Sequence, residues 1–348
     1  MYTALRAGFS PFELLYANTM KSDTDVGNAI AMGIQKTTTD SVEGVEQIRK
    51  TYNHLELKAN MNVIVRLAVD DSQSRSPFSI KYGATEAEWI PIMRMIEHHK
   101  LKFGGVSFHV GSASSSPDAF TNAIRLCRSF QKATNRHVPL VDIAGGFLPS
   151  EPQFKATAAA IRKEIGLWEK EESRAPQTWI AEPGRFYSAP TQSLTVPIIF
   201  KKSSADKVRY VLDESIYSQF SSIVYDHATP PWTVVRESIK SSQQNQQNQQ
   251  NQQNQPNKKA YFFGRTCDSL DLIAIQENAP EYEVGDQFVF PWMGAYTSAS
   301  ATAFNGFALP QKYYLDNDKI TDAFNELPPP KSVMYPIQTT SKVSLSLA

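Results

Sequence analysis

At 348 residues, with 35 basic and 35 acidic side chains, the chain is long enough for two sizeable cores and has no charge excess that would mark a nucleic-acid or anionic-membrane surface. Cys127 and Cys267 are its only cysteines, too few for a disulfide framework and too far apart in sequence for a metal knuckle, which fits a reducing compartment. No apolar run approaches the roughly 20 residues that span a bilayer, and Met1 to Pro11 lack the basic region and apolar core of a signal peptide, so a soluble, cytoplasmic protein is expected.

In chain order, short β-rich runs alternate with amphipathic stretches. Strands are predicted at Leu14–Ala17, Ile34–Thr38, Val63–Val69, Gly105–His109, Leu140–Ile143 and Thr178–Ala181. Between them Val42–Tyr52, Glu86–His98 and Pro117–Thr134 repeat apolar residues every three or four positions, as helices with one buried face do. This alternation predicts an α/β fold with a parallel sheet. Six β/α units are visible where a closed (β/α)8 barrel has eight, so the barrel is expected to be incomplete, with its first two units absent. Past Arg185 the pattern becomes β-rich, at Leu194–Phe200, Val208–Leu212, Tyr261–Phe263 and Gln287–Phe290, which predicts an antiparallel β-domain. The expected division is 1–190 for the partial barrel and 191–242 with 256–348 for the β-domain. Between these two pieces, Gln243–Gln255 is a Gln/Asn repeat without aromatic or aliphatic side chains; it cannot join a core and is expected to be a disordered loop.

The run Ala181-Glu182-Pro183-Gly184-Arg185-Phe186 carries the first chemical signal, because a strand end delivers an acid and an arginine to one turn. A carboxylate can keep a heterocyclic nitrogen protonated while a guanidinium forks onto a phosphate, and pyridoxal phosphate carries both groups. Taken alone, the pair is equally a surface ion pair on a tight Pro-Gly turn. Two further apolar runs, Gly104 to Ser112 and Leu140 to Phe147, open into His109 and Ser112 and into Gly145 and Gly146. Both read as buried strands ending in polar loops, where a glycine lets backbone N–H groups approach an anion.

With Tyr225-Asp226-His227-Ala228, Thr266-Cys267-Asp268-Ser269-Leu270-Asp271 and Met293-Gly294-Ala295-Tyr296-Thr297, these segments stand in an order that resembles the eukaryotic-type ornithine decarboxylases. Those enzymes belong to the pyridoxal-phosphate decarboxylases acting on ornithine, lysine, arginine or diaminopimelate, and the resemblance runs from about Leu15 to about Tyr314. It implies a pyridoxal-phosphate barrel followed by a β-domain, and conversion of L-ornithine to putrescine in polyamine biosynthesis. Glu182 is then expected at the ring nitrogen, with Arg185, Gly145, Gly146, Ser112 and Tyr296 at the phosphate, His109 stacked on the ring, and Arg66 lining the cofactor side. The same resemblance implies that Cys267 returns a proton to the α-carbon across a subunit interface and that Asp226 and Asp268 hold the distal amine. A homodimer with shared sites follows, with antizyme as a candidate partner. The plainer readings are a core histidine for His109, a solvent-facing arginine for Arg66 and a buried structural cysteine for Cys267.

Four departures from the family pattern stand out. Ala144 replaces the first of three glycines, Arg265 replaces a proline, and Ser215 and Ser218 flank Tyr217 where glycines are usual. No aromatic-Ala-Val-Lys segment, which carries the cofactor-holding lysine, is present, and Lys21 and Lys81 match other family lysines. The chain as given is therefore expected to hold no covalent cofactor. Three readings stay open: a decarboxylase lacking its N-terminal part, a non-catalytic homologue that binds proteins as antizyme inhibitors do, and a lysine or diaminopimelate decarboxylase.

Overall fold

The computed structural model describes residues 1–236, 258–316 and 319–321, so the tract at 243–255 lies outside the described residues. Its first part is a regular alternation. After α1 (Tyr2–Arg6) come α2 (Asp23–Ala31), β1 (Lys36–Thr39), α3 (Val42–His54), β2 (Asn62–Arg66), α4 (Glu86–His98) and β3 (Lys102–Ser107). Then follow α5 (Pro117–Thr134), β4 (Leu140–Asp142), α6 (Glu151–Glu171), β5 (Thr178–Ile180) and the short α7 (Gly184–Ser188). The five strands form one parallel sheet in chain order, β1-β2-β3-β4-β5. Val63, Ile64 and Val65 are fully buried, as in a sheet covered on both faces. Local chemistry sets the helix starts: Ser22 and Asp25 form a reciprocal capping box on α2, and Ser41 Oγ accepts the Gly44 N–H at 3.2 Å on α3. On α5, Phe120, Ala123, Ile124, Cys127 and Phe130 share the buried face, and the helix is tied to α6 by the Arg125–Glu164 pair at 2.8 Å.

Several predicted strands differ in extent. The run Leu14–Ala17 contributes one parallel bridge, Tyr16 to Thr37, because the carbonyls that would continue it are taken by side chains. Thr38 Oγ1 donates to Ala17 O at 2.6 Å, and Lys21 Nζ donates to Asn18 O at 2.7 Å and Thr19 O at 3.1 Å. The expected sixth unit is thus reduced to a single bridged residue beside a five-stranded sheet. The strand predicted at Val63–Val69 ends at Arg66, and the one at Gly105–His109 shifts to Lys102–Ser107, which frees His109 from the sheet.

The second sheet comprises β6 (Leu194–Ser203), β7 (Lys207–Leu212), β8 (Thr233–Val235), β9 (Lys258–Phe263), β10 (Leu272–Ala279) and β11 (Gln287–Phe290), with the one-turn helix α8 (Ser222–Tyr225) between β7 and β8. Its order is β10-β9-β7-β6-β11-β8. All neighbours are antiparallel except β7 and β9, which run parallel and so correct the purely antiparallel expectation. The reason is connectivity: the chain leaves β7 through α8 and β8 before it returns as β9, so the two are joined by a crossover rather than a hairpin. Val208, Tyr210 and Leu212 alternate inward on β7 and pack with Phe262, Tyr282, Phe288 and Phe290 into a core separate from that of the parallel sheet. Residues Met1–Gly306 form one compact unit; a second begins at Phe307, in which β12 (Tyr314–Asp316) pairs antiparallel with β13 (Lys319–Thr321). Among the described residues no helix is long and apolar enough to cross a membrane.

Candidate active site

The parallel strands deliver their chemistry at their C-terminal ends, where loops of open α/β sheets bind ligands. Arg66 ends β2, His109 and Ser112 follow β3, Asp142 ends β4 with Gly145 and Gly146 after it, and Glu182 and Arg185 follow β5. Hydrogen bonds between loops lock these ends together: Glu182 N–H donates to Ala144 O at 2.6 Å, and Ser114 N–H donates to Gly146 O at 2.9 Å.

Glycine is sterically required in this cradle. A Cβ on Gly145 would lie 2.9 Å from Glu182 O and 3.2 Å from His109 Nε2. Gly146 has φ +95°, and its Cβ would lie 2.6 Å from Gly111 O. Ala144, where the family pattern has glycine, sits at φ +47°, left-handed backbone that a side chain occupies only with strain. Its N–H is held by Asp142 Oδ1 at 2.8 Å.

Glu182 lies against a carboxyl that the sequence reading did not single out. Its carboxyl interacts with the buried Asp142, and desolvation raises the pKa of both groups, although Glu182 itself keeps exposed surface. Asp142, further raised by the charge of Glu182, reaches about 7, so the pair holds a proton near neutrality. Arg66 stabilises the charge on Glu182 and stacks on the Tyr82 ring at 4.7 Å. Burial and then the charge of Arg66 lower His109 to about 4, which leaves a neutral ring. Its Nδ1 accepts the Gly111 N–H at 3.0 Å, and Phe78 packs edge-on at 4.8 Å.

Arg185 donates to Ser112 Oγ at 2.7 Å, pairs with Asp226 at 2.9 Å and lies 4.3 Å from the centre of the Tyr296 ring. Arg75 also pairs with Asp226, at 2.7 Å, and Ser76 Oγ donates to it at 3.3 Å. Arg75 carried no signal in the sequence, because it lies 151 positions from its partner in a polar loop. Lys21 is drawn down to about 8 by burial, and its third bond, to Thr38 O at 2.5 Å, completes a set of backbone carbonyls around the amine.

Cys267 and Asp268 stand apart from this group. Cys267 is exposed and accepts from Asn305 Nδ2 at 3.4 Å, while Asp268 accepts from the Leu270 N–H at 2.9 Å and from the Tyr217 hydroxyl. Those two bonds hold the Asp268 carboxyl below its usual range. Both loops are clamped by the buried Asp271, which accepts from Ile216 N at 2.9 Å, Thr266 N at 3.1 Å and Thr266 Oγ1 at 2.6 Å.

A buried guanidinium with a serine and two obligate glycines suits a phosphate, and a proton-sharing carboxyl pair beside a neutral imidazole suits a basic ring nitrogen. The donor set fits pyridoxal phosphate. A family model described as "Pyridoxal-dependent decarboxylase, pyridoxal binding domain" matches residues 1–189, and the chain belongs to the pyridoxal-dependent decarboxylases. More particularly, it is 33% identical over 307 residues to the chloroplastic ornithine decarboxylase of Nicotiana glauca, covering 87% of this chain and 68% of that one. It is 30% identical over 325 residues to antizyme inhibitor 2 of Xenopus laevis, covering 88% and 67%. Among solved structures it is similar to the arginine decarboxylase of Paramecium bursaria Chlorella virus bound to agmatine, with a TM-score of 0.76 at 26% identity, covering 88% of this chain and 79% of that one.

Proposed function

We propose that this site serves the decarboxylation of L-ornithine to putrescine, a step of polyamine biosynthesis in the cytosol. The observation that carries the reading is that the loops bearing the Glu182–Asp142 pair and the Arg185–Ser112 pair both close on the same two glycines, Gly145 against Glu182 O and Gly146 against Gly111 O. Similarity to ornithine decarboxylases supports the choice of substrate. Pyridoxal phosphate, when bound, supplies an electron sink for the charge left by loss of CO2. Arg185, Ser112, Tyr296 and the N–H groups around Gly145 and Gly146 would hold its phosphate. Glu182 would keep a proton at the ring nitrogen, with Asp142 as the reserve for it and Arg66 limiting the charge that accumulates there. His109, neutral and walled by Phe78, would present a flat face to the ring.

The exposed Cys267 and the half-buried Asp268 lie on loops of the β-sheet part, held by Tyr217, Asn305 and Asp271 and not by the cradle residues. That arrangement supports a homodimer in which each chain lends them to the other's cradle, Cys267 as proton donor and Asp268 as acceptor for the distal ammonium. Asp226, which the resemblance puts at that end as well, is instead engaged by Arg75, Arg185 and Ser76 in this chain.

The test is CO2 release from carboxyl-labelled L-ornithine, L-lysine and diaminopimelate by the chain supplied with pyridoxal phosphate and joined to a relative's segment that carries the aromatic-Ala-Val-Lys lysine, which this sequence lacks. Preference for ornithine is expected, and preference for another substrate would transfer the reading to it. A protein-binding role is the second reading, favoured by the similarity to antizyme inhibitor 2 and by Ala144 inside the cradle. Cofactor binding without CO2 release from any of the three would select it.

A further inference from the structure

A cleft of about 280 Å³ lies beside Arg185, lined by Arg75 and Arg185 and by no acidic side chain. Ser112, Gly145, Gly146, His109 and Tyr296 do not line it, so it shares only the Arg185 wall with the cradle. We propose that this cleft is a second ligand site, which takes a small organic anion: a carboxylate or phosphomonoester head on an apolar body.

Charge balance is the first argument. Arg75 and Arg185 converge on the single carboxylate of Asp226, at 2.7 and 2.9 Å, so the triad keeps one positive charge in excess whenever no phosphate occupies the cradle, the state in which the cleft is titrated. The side chain of Asp226 is only 8% exposed, and its other oxygen is engaged by Ser76, so it cannot take a cation from the cleft. Arg75 is 32% exposed, and its buried Nε has no hydrogen-bond partner in the structure. An anion entering the cleft would meet the exposed part of a guanidinium that Asp226 already fixes in place.

The walls supply the second. Ser150 and Gln153 add polar side chains with no partner of their own among the described residues, whereas Pro230, Pro231, Met293 and Trp292 are apolar. Trp292 is 54% exposed and holds φ +61°, which for a bulky side chain is a strained backbone of the kind that collects at ligand sites. A flat apolar body therefore has a surface to lie on while its head reaches the arginines. A diamine, the product class of the proposed reaction, is excluded by the excess positive charge, and the inference does not depend on the ornithine reading.

The experiment is a titration of the full chain with phenyl phosphate, followed by tryptophan fluorescence and calorimetry, with benzylamine as the cationic control. Saturable binding of phenyl phosphate, and none of benzylamine, is expected. Arg75→Gln should raise the Kd by about tenfold or more, the scale of one lost charge-assisted hydrogen bond. Thr229→Glu, which adds an acid at an exposed lining position where folding is not at stake, should do the same. Ser112→Ala, which reaches the cleft only through Arg185, should shift the titration less than Arg75→Gln does. The proposal is overturned if no saturable binding is seen, if benzylamine binds as well, or if the two cleft variants bind as the parent does. Loss on Ser112→Ala alone would place the probe in the cradle and overturn it too.

Discussion

One substitution made at two glycines should change stability in opposite directions. At Gly146 the backbone has φ +95°, and an added Cβ would lie 2.6 Å from Gly111 O and 3.1 Å from Val110 Cγ2. Left-handed backbone costs an L-residue about 1–2 kcal/mol, and forcing a packed carbonyl aside costs about 1–3 kcal/mol more. Against these, alanine restricts the unfolded chain and recovers about 0.4–1 kcal/mol. Gly146→Ala should therefore destabilise the parallel-sheet core by about 1–5 kcal/mol. Gly166 lies inside α6 with nothing within 4 Å of its would-be Cβ, so Gly166→Ala should stabilise by about 0.5–1 kcal/mol. Urea unfolding followed by far-ultraviolet circular dichroism should show the midpoint falling for the first variant and rising for the second. Because Gly111 donates its N–H to His109 and precedes Ser112, the first variant should also weaken pyridoxal-phosphate binding, and the second should not. An unchanged midpoint for Gly146→Ala would refute the steric account of the cradle.

The raised carboxyl pair gives a pH test. Asp142 titrates near 7 in the fold against about 3.9 unfolded, so its contribution is fully present below the unfolded value and is lost as pH rises towards 7. Asp142→Asn keeps the Oδ1 acceptor for the Ala144 N–H, and its stability relative to the parent should improve between pH 5 and pH 8; parallel pH profiles for the two proteins would sink the shared-proton account. Iodoacetamide should label the exposed Cys267 in the native protein and reach the buried Cys127, whose thiol is also pushed up by burial, only on unfolding, so fast labelling that survives Cys267→Ser would contradict the assignment. Asp271→Ala strips three donors of one buried acceptor and should cost about 3 kcal/mol or more, read as a lowered unfolding midpoint; a neutral result would show that the Ile216 and Thr266 bonds do not brace the Tyr217 and Cys267 loops.

What the amino-acid sequence determined by itself was local. The apolar run Val63-Ile64-Val65, the three- and four-residue spacing from Phe120 to Phe130, and the motifs that close β4 and β5 each depend on neighbours within a strand or a few helical turns. Side-chain periodicity and the steric freedom of glycine act at that range, which is why the β/α alternation, the glycine cradle and the Glu182/Arg185 pair could be read before any coordinates. Tertiary packing decided the rest. The parallel pairing of β7 with β9 depends on the path taken between them, and Tyr16 keeps only one bridge because Lys21 and Thr38 claim the carbonyls beyond it. Asp142 backs Glu182, and Arg75 competes with Arg185 for Asp226 across 151 positions, because separate strand ends and loops converge in the folded chain. Charge pairing of that kind is a property of which segments pack together, and no pattern confined to one segment can encode it.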